Sequence, residues 1–406
     1  MEKVKVGIFG ARRGAELVRI LALIPNADFV AICGRAATTG RVVTRAKEYG
    51  FTVTAYEDFD SFIQHDMDAV ILANYAHEHA PYAIQAMKAG KHVLSECFAC
   101  ANMKEAVELI EAVEETGKVY NLLERFCYNA AILNMKKSYQ ANEIGTALSM
   151  YGTYTHNIAG QWPNATRGDR NHWRNQMAST SYTPHAVGPA LFATGHRPVT
   201  VIGMESAQSE AMKSVGYPAG ACGYIVAKMD NGGVLNAGCE FVGGHGTACC
   251  LMGERGTLEF GRRSYDGLNK LALPTAVTSR QMFEVVNDKS PELDGIPRQV
   301  HADDFICVSR WVRQIMGEEV ETVDVYMGVE MSILGLLAFK SIVNGSIPVT
   351  VPNLRNKDER DAYREDTFCM FKEIGGDMYT PSNAAQEDTT EIPDEVYGRV
   401  KALCEE

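Results

Sequence analysis

The sequence has no block of basic residues, no uninterrupted apolar run of membrane-spanning length and no regular cysteine framework. Each absence closes off a class of protein. Lys plus Arg number 39 against 51 Asp plus Glu, a net charge of −12, and an acidic chain with no basic stripe is a poor nucleic-acid binder. No apolar run approaches the roughly 20 residues that cross a bilayer, so no membrane partner is expected. The opening MEKVKVGIFG lacks a signal-peptide core and enters a buried-strand pattern at once. The 11 cysteines are odd in number and scattered, which suits a reducing cytoplasm, the expected location. What is present is a globular composition, 46% hydrophobic and 22% charged over 406 residues, and that length points to two domains.

The first 125 or so residues alternate short apolar runs with helical spacing. Strands are read at Val4–Phe9, Phe29–Cys33, Ala69–Leu72, His92–Leu94 and Val119–Leu123, with helices from Glu16 to Leu23, His79 to Ala89 and Lys104 to Thr116 between them. Strand–helix–strand at this spacing implies right-handed crossovers and a parallel sheet, an α/β domain. Past Ala147 the rhythm changes. Strand-like segments at 150–154, 199–204, 224–229, 234–241 and 257–260 and helical patterns at 187–194, 303–316 and 325–343 predict an α+β domain on an open, largely antiparallel sheet. Asp230-Asn231-Gly232-Gly233 is hairpin chemistry, since Asn and Gly accept the positive φ of a tight turn. The expected organisation is a dinucleotide-binding domain over 1–125, a substrate domain over 126–354 and a charged tail over 355–406 that packs on the protein or on a neighbouring subunit.

Gly10-Ala11-Arg12-Arg13-Gly14 follows the first strand and opens a helix. In that context backbone N–H groups and the helix dipole meet a pyrophosphate; the plainer alternative is an ordinary βα turn. The usual G-x-G-x-x-G is altered, with Arg12 at the second glycine and Ala15 at the third. About twenty residues on, where an acid would grip the ribose, stand Gly34 and Arg35. The missing carboxylate beside an arginine suits a 2′-phosphate, or Arg35 is simply a surface residue.

Several segments resemble the Gfo/Idh/MocA superfamily of glucose–fructose oxidoreductase and inositol dehydrogenase. The stretch from Asp68 through His77-Glu78-His79-Ala80-Pro81 to Gly90-Lys91-His92-Val93-Leu94-Ser95-Glu96 matches that superfamily's strand, His-containing loop, helix and G-K-H-V strand. The resemblance implies a Rossmann domain, a second domain on an open mixed sheet, and a bound nicotinamide. It makes Phe9, Asn74, His77, His79, Glu96 and Cys97 cofactor-edge residues with the loop glycines and arginines. Two departures stand out. Where members continue Glu-Lys-Pro, this chain has Glu96-Cys97-Phe98, and the Asp four positions before the catalytic His is Ser181.

One branch also lacks that lysine: the NAD-dependent α-N-acetylgalactosaminidases, which hydrolyse glycosides by transient oxidation. Glu124-Arg125-Phe126-Cys127-Tyr128, Tyr154-Thr155-His156, His172-Trp173-Arg174-Asn175 and Tyr182 with His185-Ala186-Val187-Gly188-Pro189 resemble its segments. The resemblance places Tyr154 and His185 at acid/base positions, with His156 and Tyr182 beside them, and makes Glu124, Trp173 and Arg174 candidates for sugar contact. In that route the third carbon is oxidised while a base takes the hydroxyl proton, a second base removes the acidified hydrogen at the second carbon and the aglycone is expelled, water adds to the enone, and the hydride returns. His titrates near neutrality, whereas Tyr needs help from its surroundings.

Each residue has a duller rival. His185 at a helix start is also a natural cap, Tyr154 a natural core residue, Glu124 a natural helix cap, and Arg167 and Arg170 read as a solvated loop. Cys97-Phe98-Ala99-Cys100 has no second pair at zinc spacing, and no metal site is expected. The sequence therefore predicts an enzyme with tightly bound NAD (NADP remaining open) that cleaves a glycoside, acts on a small-molecule sugar and forms a homo-oligomer, a dimer or tetramer. The alternatives are a conventional sugar dehydrogenase and a catalytically silent sugar- or cofactor-binding relative.

Overall fold

Val4, Val6 and Ile8 are buried along one face of Val4–Phe9, and beyond Lys5 the other face carries only Gly7 and Phe9, the near-continuous apolar run of a strand inside a parallel sheet. A computed structural model describes residues 3–261, 268–272, 282–286, 290–297 and 299–404. The chain divides into two units, Met1–Asn129 with Lys289–Val329, and Ala130–Asp288 with Glu330–Glu406.

The first unit holds six parallel strands: β1 (Val4–Phe9), β2 (Ala27–Cys33), β3 (Thr54–Tyr56), β4 (Ala69–Leu72), β5 (His92–Ser95) and β6 (Tyr120–Leu122). Their order is β3-β2-β1-β4-β5-β6, the doubly wound order in which a dinucleotide binds where the winding reverses, between β1 and β4. β3 has no sequence signal because its three residues are exposed or half-buried. The first helix begins at Ala11, five residues before the apolar periodicity that marks it in sequence. This unit also takes in the helix Ala302–Ile315, which the sequence reading places in the second domain. Its apolar face is buried, and Leu122 N–H donates to Val323 O just beyond it. Helical periodicity shows that a face is buried, not against what.

The helix Met103–Thr116 starts in a reciprocal cap. Asn102 accepts from Glu105 N–H (2.8 Å) and Glu105 accepts from Ala101 N–H (2.8 Å). Burial pushes the Glu105 carboxyl up to about 7. A native value above the unfolded one gives stability that is complete below the unfolded pKa and is lost as pH rises through about 7. Glu105→Gln is therefore expected to melt with wild type at pH 4 and above it at pH 8, by at most about 3 kcal/mol. A variant that loses stability on going from pH 4 to 8 as wild type does would contradict this.

The second unit is built on a nine-stranded sheet of order β14-β13-β12-β11-β7-β10-β9-β8-β15. The strands are β7 (Ala147–His156), β8 (Pro198–Glu205), β9 (Cys222–Met229), β10 (Val234–Glu240), β11 (His245–Gly253), β12 (Gly256–Phe260), β13 (Leu268–Ala272), β14 (Met282–Val286) and β15 (Val349–Thr350). All pairs are antiparallel except β7 with β10, so the sheet is mixed. Asp230–Gly233 closes the β9–β10 hairpin, with Gly232 at φ 85°. One sheet face is covered by helices; the other exposes Met204, Tyr224, Val226 and Val234. The helix Val325–Val343 has the length and mean hydropathy of a membrane span (19 residues, 1.4) although Glu330 and Lys340 interrupt its apolar run, and it is 83% buried inside the protein. Residues beyond 354 pack within the second unit. Arg360 is fully buried, and Tyr397 and Val400 pack into this same unit.

Candidate functional site

Two constellations emerge, one in each unit. In the first, Gly10 sits between β1 and the helix Ala11–Leu21 at φ 108°, and a Cβ there would overlap the backbone of Ala73 just after β4. Only glycine fits this close approach. Gly10 caps nothing with a side chain, and the first helical bond runs from Gly14 N–H to Gly10 O (2.9 Å), so the N–H groups of residues 11–13 have no intrahelical acceptor. Gly14 lets the helix lie on β1, since a Cβ there would come within 2.7 Å of Ile8. It does the close-packing work of the missing third glycine. Asn74, after β4, donates from Nδ2 to Glu78 (3.0 Å), while its buried Oδ1 has no donor among the described residues. An open helix N-terminus at the switch point and an unmatched amide oxygen beside it fit a dinucleotide.

The other predicted cofactor residues fall in different places. Gly34 ends β2 with its N–H on Tyr56 O (3.0 Å) and lies against the start of the first helix; Arg35 and Arg12 are exposed. Phe9 turns its ring into a cluster with Phe59 and Tyr82 (centroids 5.0 and 4.8 Å) and contributes only backbone to the turn. His77 and His79 are buried, and burial lowers both to about 4, so they stay neutral. His79 is fixed by Nδ1 to Phe98 O (3.1 Å).

Arg13 is not offered to a phosphate. Its guanidinium donates to Glu96 (2.6 Å), to Asp304 (2.9 Å) and to Glu16. Burial pulls its pKa down, but the carboxylates of Glu96 and Asp304 outweigh it and the group stays charged. Asp304 is fully buried, and Arg125 approaches it at 3.7 Å. This network ties the turn after β1, the end of β5 and a helix 291 positions further along the chain. The sequence reading misses Asp304, because Asp303-Asp304 looks like ordinary acidic residues in a first helical turn.

Next to Glu96, the Cys97 thiol donates to Glu124 Oε2 (3.1 Å). Glu124 is fully buried and also accepts from Phe126 N–H (3.2 Å), so its cap role is real. Burial, then the Glu124 charge, push the Cys97 thiol well above its usual range. Cys97 is expected to resist alkylation by iodoacetamide at pH 7.5; labelling as fast as a free thiol would contradict that geometry.

In the second unit, residues 30 apart in sequence share one cluster. Gly152 on β7 has no Cβ, and one would overlap Ala186 O. The helix Thr183–Thr194 therefore lies directly on the strand, and its first turn brings His185 over Tyr154 (ring centroids 4.8 Å). Tyr182 stacks on His185 (5.4 Å, 11°) and tilts against Tyr154 (5.7 Å). Tyr154 Oη and His156 Nδ1 share a proton across 2.7 Å. All four predicted catalytic residues meet here. Ser181, at the position of the missing acid, has a buried Oγ with no partner among the described residues.

Trp173 is buried in the loop leading to this helix, with Arg174 over its ring at 4.3 Å. Arg170, read from sequence as a solvated loop residue, instead binds Asp394 (2.6 Å) and Ile392 O (2.7 Å).

Residues 4–123 match the family model described as oxidoreductase family, NAD-binding Rossmann fold. The chain is 28% identical over 243 residues to a Bacteroides fragilis protein named glycosyl hydrolase family 109 protein 1, covering 57% of this chain and 52% of that one. It is 28% identical over 206 residues to a Saccharopolyspora erythraea glycosyl hydrolase family 109 protein, covering 46% and 43%. It thus spans about half the length of the curated relatives it matches. Among solved structures, an oxidoreductase domain protein from Kribbella flavida and levoglucosan dehydrogenase in complex with NADH share the fold. Their TM-scores are 0.74 and 0.73, each at 19% identity, over 87% of this chain and 100% of theirs.

Proposed function

We propose that this chain, whose residues 4–123 match the NAD-binding Rossmann model of the oxidoreductase family, is an NAD-dependent enzyme of the Gfo/Idh/MocA type that cleaves a glycoside with no net oxidation. The observation that carries the reading is the cluster of Tyr154, His156, Tyr182 and His185. A conventional glycosidase works with two facing carboxylates; this cluster contains none and offers two imidazoles and two phenols instead. The names of the curated relatives, glycosyl hydrolase family 109 proteins, favour a glycoside as the substrate.

The Gly10 turn and Asn74 would hold NAD, which when bound would supply an acceptor for hydride from the sugar's third carbon and a donor for its return. His185 takes the hydroxyl proton at that carbon. The resulting ketone acidifies the hydrogen at the second carbon, which Tyr154 Oη removes while His156 Nδ1 holds the phenol's own proton across 2.7 Å. The bond from the first carbon to the aglycone oxygen breaks, and water then adds at the first carbon as a proton returns to the second. Tyr182 holds the His185 ring by stacking. Trp173 and Arg174 are the candidate sugar contacts, and burial, then the Glu124 charge, keep Cys97 a neutral thiol where other members carry lysine.

We further place the protein in the cytoplasm, with its eleven free thiols, and as a homo-oligomer that covers the apolar sheet face of Met204, Tyr224 and Val226. The test is a panel of aryl glycosides with aglycone release and reduced nicotinamide recorded together. Release without lasting cofactor reduction is expected; stoichiometric reduction with no aglycone would make the protein a dehydrogenase.

A further inference from the structure

The loop that carries Trp173 and Arg174 is held from outside by a distant segment. We propose that Tyr397 is a positioning residue, and that the helix Asp394–Ala402 is a strap fixing residues 163–176 and so the presentation of Trp173 and Arg174 to a sugar. The sugar part rests on the glycoside reading above.

The contacts are close and backbone-deep. Tyr397 is 8% exposed and donates from Oη to Gly216 O (3.2 Å). Gly216 has φ 98°, and a Cβ there would stand 2.6 Å from the Tyr397 ring. On the strap's other side Gly168, at φ 67°, would put a Cβ 2.6 Å from Lys401 N and into the Tyr397 carbonyl oxygen. Two left-handed glycines thus form the seat, because L side chains avoid that conformation and no Cβ fits. Arg170 lies 4.7 Å over the Tyr397 ring and binds Ile392 O and Asp394. Cys404 Sγ donates to Pro163 O (3.2 Å).

The seat leads to the candidate sugar contacts in two steps. Asp169, between Gly168 and Arg170, accepts at its carbonyl from Asn175 Nδ2 (2.8 Å). Asn175 adjoins Arg174, and its Oδ1 accepts from the fully buried Trp162 Nε1 (2.7 Å). The ion pairs do little of the holding: the Asp394 and Glu391 side chains are 90% exposed, and such pairs contribute about 0–1 kcal/mol. The buried ring does most of it, which singles out Tyr397.

The experiment compares the full chain with Tyr397→Ala and Tyr397→Phe by hydrogen exchange over residues 163–176, by dinucleotide affinity, and by KM and kcat on whichever aryl glycoside wild type cleaves. In Tyr397→Ala, exchange in the loop and KM are each expected to rise on the order of ten-fold as local opening becomes easier. Dinucleotide affinity and kcat stay within two- to three-fold, and Tyr397→Phe, keeping the ring, behaves as wild type. Should the Ala variant lose its cooperative melt, Tyr397→Leu takes its place. Unchanged exchange overturns the strap. Faster exchange with unchanged KM overturns its link to the sugar. If wild type cleaves no glycoside, the glycoside reading fails by itself, and exchange still decides the strap.

Discussion

His185→Ala is expected to cut aglycone release by about 10²–10⁴-fold, the range for loss of a positioned acid/base group, with a melting temperature near that of wild type. The residue sits in the first turn of its helix with its side chain half-buried, so removing the ring opens no sealed core. The backbone bond from His185 N–H to Tyr182 O (3.1 Å) survives the change. What disappears is the imidazole 4.8 Å from the Tyr154 ring. Full activity in this variant would remove His185 from the mechanism even if glycoside cleavage itself were found.

Gly152→Ala is expected to do broader damage. The methyl would occupy the place of Ala186 O, on a strand in the middle of the nine-stranded sheet and under a helix whose residues 186–193 are all buried. Backbone has to move to admit it, at a cost of about 3 kcal/mol or more. The movement also lifts His185 away from Tyr154, so activity falls together with stability. Dinucleotide affinity, which belongs to the other unit, is expected to stay unchanged, and that separates this variant from general unfolding. A Gly152→Ala protein with wild-type melting and activity would show that the helix is free to shift.

Much of this was legible in residue order. Apolar runs of four to six residues alternating with helical spacing predict the parallel sheet, and Asn231-Gly232 predicts the β9–β10 hairpin of the second sheet, because both depend on local periodicity and turn chemistry. The Tyr-x-His spacing put Tyr154 and His156 on one face of a strand, and the family resemblance supplied His185. What could not be read is what distant segments do to each other. Arg13 looks like a phosphate ligand until Asp304 arrives beside it, and Arg170 looks solvated until the strap arrives. β13, β14 and β15 pair with neighbours at the sheet's ends, and short flanking strands carry little pattern of their own. Gly152 gave no signal, since a glycine in a strand marks close approach without saying to what.

The most direct measurement is proton magnetic resonance of the sugar released in deuterium oxide. Transient oxidation removes the hydrogen at the second carbon through Tyr154 and returns one from solvent, so the released sugar is predicted to carry one deuterium there. Aglycone release with that carbon still fully protonated would contradict the account, because the glycosidic bond would then have broken by direct displacement.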